Sequence, residues 1–322
     1  MSEFGDLPVV EGVWVRPSAA VPAEPRWGHA HGLQIGLAPL PGPRGLIRIY
    51  TPYLDHPRER LVNFVAIEPT PVGATERGFS ELEPSSLDPG ERGKRFWSFS
   101  PSTPPALPPA GPPLASAPDR GVVDSVDGVS RLTVYIGCER FDNGADVYVR
   151  ARFRSDAPHE VALAAFCRPT SVPLKRVTLS ATMGNWARLR ELRLADRVVT
   201  PGELWPGFGG DGFTPHARFG LSSLARDSSG AAVVSAVPDE ESPAAVSYAP
   251  GTHEHWHFIG RRAVQGWRAP NPRPGLEVLV NGRFCYWASE SPIPGGTSFE
   301  NFELGEPFVD GQEYFFSVEP LD

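Results

Sequence analysis

The chain has 322 residues, 40% of them apolar and 10% aromatic, with 38 acidic against 30 basic side chains and a net charge of −8. This length can bury a sizeable core, as one large β domain or two ordinary ones. The acidic balance, without a basic run or stripe, argues against a nucleic-acid partner, and no apolar run is long enough to span a bilayer. Cys138, Cys167 and Cys285 lie far apart with no Cys-x-x-Cys or Cys/His spacing, so they read as small buried apolar residues and not as zinc ligands. The opening MSEFGDLPVVEG carries acids and no apolar segment, which sets the expectation of a cytoplasmic chain without a leader.

Strand signals dominate the chain in order. Residues 9–15, 33–37 and 45–50 are short apolar strands, and 61–67 is almost continuously apolar, as in a central strand covered on both faces. Residues 101–118 (PSTPPALPPAGPPLASAP) exclude helix and central strand, because proline fixes φ and lacks an N–H; they read as a surface loop. Strands follow at 130–139, 147–153, 159–167 and 177–183, and 186–194 reads as a strand or a short helix. Residues 231–237, 255–258 and 276–280 complete a meander, and 284–289 alternates as a further strand. Asn143-Gly144 and Asn281-Gly282 are hairpin signals, and Asp310-Gly311 marks a tight turn before an apolar closing strand. Short strands with Gly, Pro and Asn-Gly punctuation point to a sandwich.

Four constellations carry chemistry. His253, His255 and His257 would share one face of an extended strand; such a row suits metal binding or, in a sugar site, proton transfer by His255 or His257. His29 and His31 share a face between glycines. Glu81 and Glu83 alternate with Leu82, and two close carboxylates raise one pKa when desolvated, as a general acid requires. Near the C-terminus, Asn281, Arg283, Trp287, Glu290, Glu300, Asn301 and Glu303 combine forked donors, a flat aromatic and carboxylates, with Trp256, Trp267 and Tyr286 extending the platform. No G-x-S-x-G elbow, Walker loop or dinucleotide fingerprint is present.

The closing pattern FVDGQEY (residues 308–314) and the apolar strand after it resemble the end of galactose-mutarotase-like supersandwich proteins. Their last strands follow a Pro-Gly-Glu-x-Tyr-like turn; here Asp310 replaces the proline and the glutamate is displaced by one. The resemblance implies a carboxylate before the final loop as general base, at the position of Glu290, with His216, His255 or His257 as acid.

The sequence therefore sets these expectations. The fold is all-β, a large antiparallel supersandwich over residues 1–322 as a single domain, with a jelly-roll or cupin-like double-stranded β-helix as alternative. The function is that of a carbohydrate-active enzyme using general acid/base catalysis, with Glu290 or Glu300 as base and one histidine as acid. The alternatives are a non-catalytic carbohydrate-binding module and a metal-dependent cupin-like enzyme. The expected partner is a sugar or oligosaccharide, and no cofactor is required.

Overall fold

The computed structural model describes residues 9–17, 25–37, 44–55, 61–101, 118–182, 187–258 and 260–321, apart from the side chains of residues 61–63. The proline-rich stretch 102–117, Met183 and Trp186 lie outside them. In chain order the first strands are β1 (Val9–Glu11), β2 (Trp14–Arg16), β3 (Arg26–His29), β4 (Gln34–Leu37), β5 (Leu46–Tyr50) and β6 (Leu61–Pro71). Next come β7 (Phe96–Phe99), β8 (Val122–Val126), β9 (Val129–Cys138), β10 (Val147–Arg154), β11 (Ala157–Cys167) and β12 (Leu174–Thr182). Then follow β13 (Leu189–Arg193), β14 (Val198–Val199), the one-turn helix α1 (Pro201–Leu204), β15 (Ala217–Gly220), β16 (Ala225–Arg226) and β17 (Ala232–Pro238). The last are β18 (Ala263–Ala269), β19 (Glu277–Arg283), β20 (Ser298–Pro307) and β21 (Glu313–Pro320).

These strands form two large antiparallel sheets packed as a β-sandwich. The first sheet runs β1-β2-β3-β4-β5-β6-β12-β20-β19-β15. The second runs β14-β13-β17-β18-β21-β11-β10-β9-β7, with β16 beside β17 and β8 beside β9. Between them lies one apolar core. The first sheet contributes Ile47, Val65, Ile67, Leu179, Phe302 and Val280; the second contributes Val134, Val149, Leu163, Val234, Trp267 and Phe316. In β10, the alternation of VYVRARFR sends Val147, Val149, Ala151 and Phe153 inward and leaves the arginines partly or fully exposed. Within the core, Trp267 Nε1–H bonds the Phe302 carbonyl at 2.8 Å and so ties the sheets together.

Three local expectations are corrected. Residues 255–258 form no strand; Glu254–Trp256 is a 3-10 turn, because the His253 ring accepts the His255 N–H and folds the segment on itself. Residues 284–289 form a turn containing an isolated bridge, with Ala288 at φ 51°. Asn281-Gly282 is not a hairpin turn but lies within β19, where pairing to β20 shifts register between Val280 and Gly282. The 186–194 ambiguity resolves to a strand, Leu189–Arg193.

Candidate functional site

The face of the first sheet turned away from the core is polar. Pairing places Glu68 beside Thr178, Ser180 beside Glu303 and Thr182 beside Asn301. Each of these alternates with an inward apolar residue such as Ile67, Leu179 or Phe302. Although they face outward, Glu68 and Glu303 are only 3% and 1% exposed. The segment after β6 explains part of this burial. Gly78 N–H bonds the Pro69 carbonyl and Ser80 N–H bonds the Ile67 carbonyl, so this segment replaces β5 along the far half of β6. Arg77 then reaches across the sheet. Its guanidinium meets Glu303 through two bonds, Nη1 to Oε2 at 2.6 Å and Nη2 to Oε1 at 3.0 Å, and Glu68 Oε2 at 2.7 Å.

From the opposite side, His216, at the mouth of edge strand β15, places Nε2 2.9 Å from Glu303 Oε1. Asn281 Nδ2 lies 3.4 Å from the same nitrogen, while its Oδ1 accepts the Asn301 N–H at 3.0 Å. That backbone bond fixes the orientation of the amide. Because Glu303 is an acceptor, Nε2 of His216 carries the proton and donates it to Glu303; the Asn281 amide nitrogen, itself a donor, makes no hydrogen bond to the protonated Nε2. Nδ1 is then the lone-pair nitrogen of the neutral ring. Three strands, the residue that precedes β15 and one loop thus gather Glu68, Arg77, Glu81, His216, Asn281 and Glu303.

The carboxyls are driven apart electrostatically. For Glu303, burial raises the pKa, but the bonds from His216 and Arg77 outweigh it and hold the group below the usual carboxylate range. Glu68 is pushed well above that range by burial, and the Glu303 and Glu81 charges add to the effect against the pull of Arg77. Glu81 is raised by burial and then by the Glu303 charge, with Arg77 opposing. The site therefore holds an ionised carboxylate beside carboxyls biased toward the protonated form. Such a division supplies a proton acceptor and a proton donor at one pH.

The residues expected from sequence fall into separate groups. His216, Asn281 and Glu81 come together here. Glu83 does not: residues 79–83 are a turn, and its carboxylate accepts the Phe79 and Asp142 N–H groups and pairs with Lys94 at 3.2 Å. Glu290 is exposed in the loop after the 284–289 turn. Glu300 is buried, at the register shift of β20 between Phe299, which pairs with Gly282, and Phe302, which pairs with Val280. Trp267 is core, 1% exposed and packed on Phe316. Arg283 is buried; it bonds the Cys285 and Asp211 carbonyls and lies under the exposed rings of Phe213 and Trp287.

The histidine rows divide as well. His255 contacts His253 and Trp256, Trp256 stacks on Tyr286, and His257 stacks on Tyr248. The 3-10 turn removes the shared strand face. His29 ends β3 and His31 sits in the next turn; the charges that perturb His29 come from His31 and His159. Among the described residues no group of three or more His, Cys, Asp or Glu is placed to hold a metal ion. Sequence reasoning missed Glu68 and Arg77, and gave Glu303 no role of its own. Glu68 left a trace, as a charged residue following the apolar run of a strand read as central. No family model, curated protein or solved structure matches the chain. No helix of the described residues is long and apolar enough to cross a membrane.

Proposed function

We propose that the outer face of the first sheet is the acid/base site of a carbohydrate-active enzyme, with His216 as the group that exchanges protons with the sugar. The observation that carries this reading is the chain Arg77–Glu303–His216. A buried, ionised carboxylate orients an imidazole by its Nε2–H and leaves Nδ1 available on a partly exposed ring. In a base-initiated step, Nδ1 takes a proton from the substrate and Glu303 stabilises the imidazolium. Glu81, raised by burial, delivers a proton to the sugar oxygen that gains charge. One proton leaves the substrate and one returns, and exchange with water restores both groups. Arg77, Asn281 and Asn301 supply donors and acceptors of the kind that fork onto vicinal hydroxyls.

Covalent catalysis by a thiol has less support. The Cys138, Cys167 and Cys285 thiols are all pushed up by burial, which favours the inert protonated form. The resemblance of the closing segment to galactose-mutarotase-like proteins supports a carboxylate near the final strands; in this reading it is Glu303, which acts through His216.

The test is product analysis by NMR across a panel of hexoses, hexuronic acids and their disaccharides. His216→Ala and Glu303→Gln should each lower turnover by about 10²–10⁴-fold. Wild-type turnover in both variants would reject the reading. A second reading, a non-catalytic sugar-binding surface, is favoured by a different feature: the exposed Trp287 and Phe213 rings, 6.0 Å apart. It predicts sugar affinity without turnover.

A further inference from the structure

Glu68 takes no part in the proton transfers proposed above, yet it reaches the same guanidinium as Glu303. β12 lies between the strands that carry the two acids. Thr178 pairs with Glu68 on one side and Gly305 on the other; two residues on, Ser180 pairs with Ala66 and Glu303. Glu68 and Glu303 therefore stand diagonally across β12 on one face, with only Ala66, Thr178, Ser180 and Gly305 between them. Two long carboxylate side chains can lean together over such small residues, and Arg77 closes the gap. Its Nη1 is 2.6 Å from Glu303 Oε2 and 2.7 Å from Glu68 Oε2. The two contacts differ in kind. Glu303 takes directed hydrogens from Nη1 and Nη2, whereas no hydrogen bond from the described residues reaches the buried Glu68 Oε2.

Glu68, Glu81 and Glu303 thus face one guanidinium, which the Glu76 charge also reaches. One positive charge cannot neutralise three buried carboxylates, so the cluster balances its charge by keeping protons. On the far side, Glu303 leads to His216; Arg218, two residues along from that ring, is exposed and paired with Glu277. Resting on the function proposed above, we infer that Glu68 is a positioning residue that sets the basicity of His216 through Arg77. While Glu68 is protonated, the guanidinium belongs to Glu303, and His216 faces a neutralised carboxylate. When Glu68 ionises, Nη1 is divided between two carboxylates and the cluster gains a negative charge, so an imidazolium at His216 is better stabilised. The effect is reciprocal: a proton arriving on His216 draws one away from Glu68. Burial, with the Glu303 and Glu81 charges and against Arg77, biases Glu68 toward the protonated form, so that proton is in place before the substrate gives up its own.

The test needs no substrate. Long-range proton–nitrogen NMR follows the His216 ring, assigned by its absence in His216→Gln. Carbon NMR of labelled glutamate follows the Glu68 carboxyl, assigned by its absence in Glu68→Asp. In Glu68→Gln, which stays neutral at every pH, the His216 titration should move down by about one pH unit. Glu68→Asp keeps an ionisable group on a shorter arm and should recover part of that shift. In His216→Gln the Glu68 titration should move up by a similar amount, and this arm decides alone if Glu68→Gln does not fold. A purely structural role would lower melting without moving either titration. A His216 titration that stays put or rises in Glu68→Gln, or a Glu68 titration unmoved in His216→Gln, overturns the inference. Coupled titrations in a protein that turns over no sugar of the panel would keep the Glu68–His216 linkage and remove the catalytic assignment. Turnover lost in His216→Ala with uncoupled titrations would do the reverse.

Discussion

Glu303 keeps its charge in an almost solvent-free position because three donor hydrogens converge on it, two from Arg77 and one from His216. The cost of leaving water is offset only while those donors remain, so this carboxylate contributes stability above its ordinary value of 4.5, lost as pH falls through its lowered folded value. His29 acts in a separate window. Burial lowers its pKa from 6.5, and the charges of His31 and His159 lower it further. The unfolded chain then binds more protons than the folded one below about pH 6.5, so this contribution is present above that value and fades as pH falls toward the lowered one. His29→Asn retains an oxygen that can accept the His31 N–H bonded by the imidazole. Melting curves between about pH 7 and 5 should decline less steeply for His29→Asn than for wild type. An unchanged slope would place the acid sensitivity elsewhere.

The 72–95 segment is the element that turns an ordinary sheet face into a site, because it carries Arg77 and Glu81. Its fold is held by buried polar anchors. Ser80 Oγ accepts the Ile67 N–H and donates to the Gly45 carbonyl. Gly45, at φ +70°, has no Cβ where one would stand 1.8 Å from the Ser80 carbonyl oxygen. Glu139 accepts bonds from the Ser85 and Ser86 hydroxyls and from the Ser86, Leu87 and Arg95 N–H groups. Burial works against its charge, but these bonds outweigh burial and leave its pKa lowered. Lys94, with a fully buried side chain, pairs with Asp142 at 2.7 Å. Glu139→Ala should therefore destabilise the protein by about 3 kcal/mol, since several buried donors lose their acceptor together. Limited proteolysis should find new cleavage within residues 79–95. Wild-type melting and no new cleavage would show that the segment is held by other contacts. Legibility differed by element for a physical reason. Strands such as Val147–Arg154 show the period of two because one face is buried. The 253–257 row shows the same alternation, but local ring-to-backbone bonding folds it into a 3-10 turn.

Across the whole molecule, the two-sheet sandwich was readable because apolar alternation recurs in strand after strand around one core. The candidate site was readable only in part. His216, Asn281 and Glu81 stood out as residue types, but their meeting depends on β6, β12, β20, β19 and β15 lying side by side, and those strands are far apart in the chain. Proximity in sequence grouped Glu290, Glu300 and Trp287 instead; the turn at residues 284–289 leaves Trp287 and Glu290 exposed, whereas Glu300 is buried in β20. The most direct test of the account is a crystal structure of the protein soaked with the tightest-binding sugar of the panel. The account predicts a ring within hydrogen-bond distance of His216 Nδ1 and Arg77, on the outer face of the first sheet. A sugar found over Trp287 and Phe213, with the His216 face unoccupied, would contradict it.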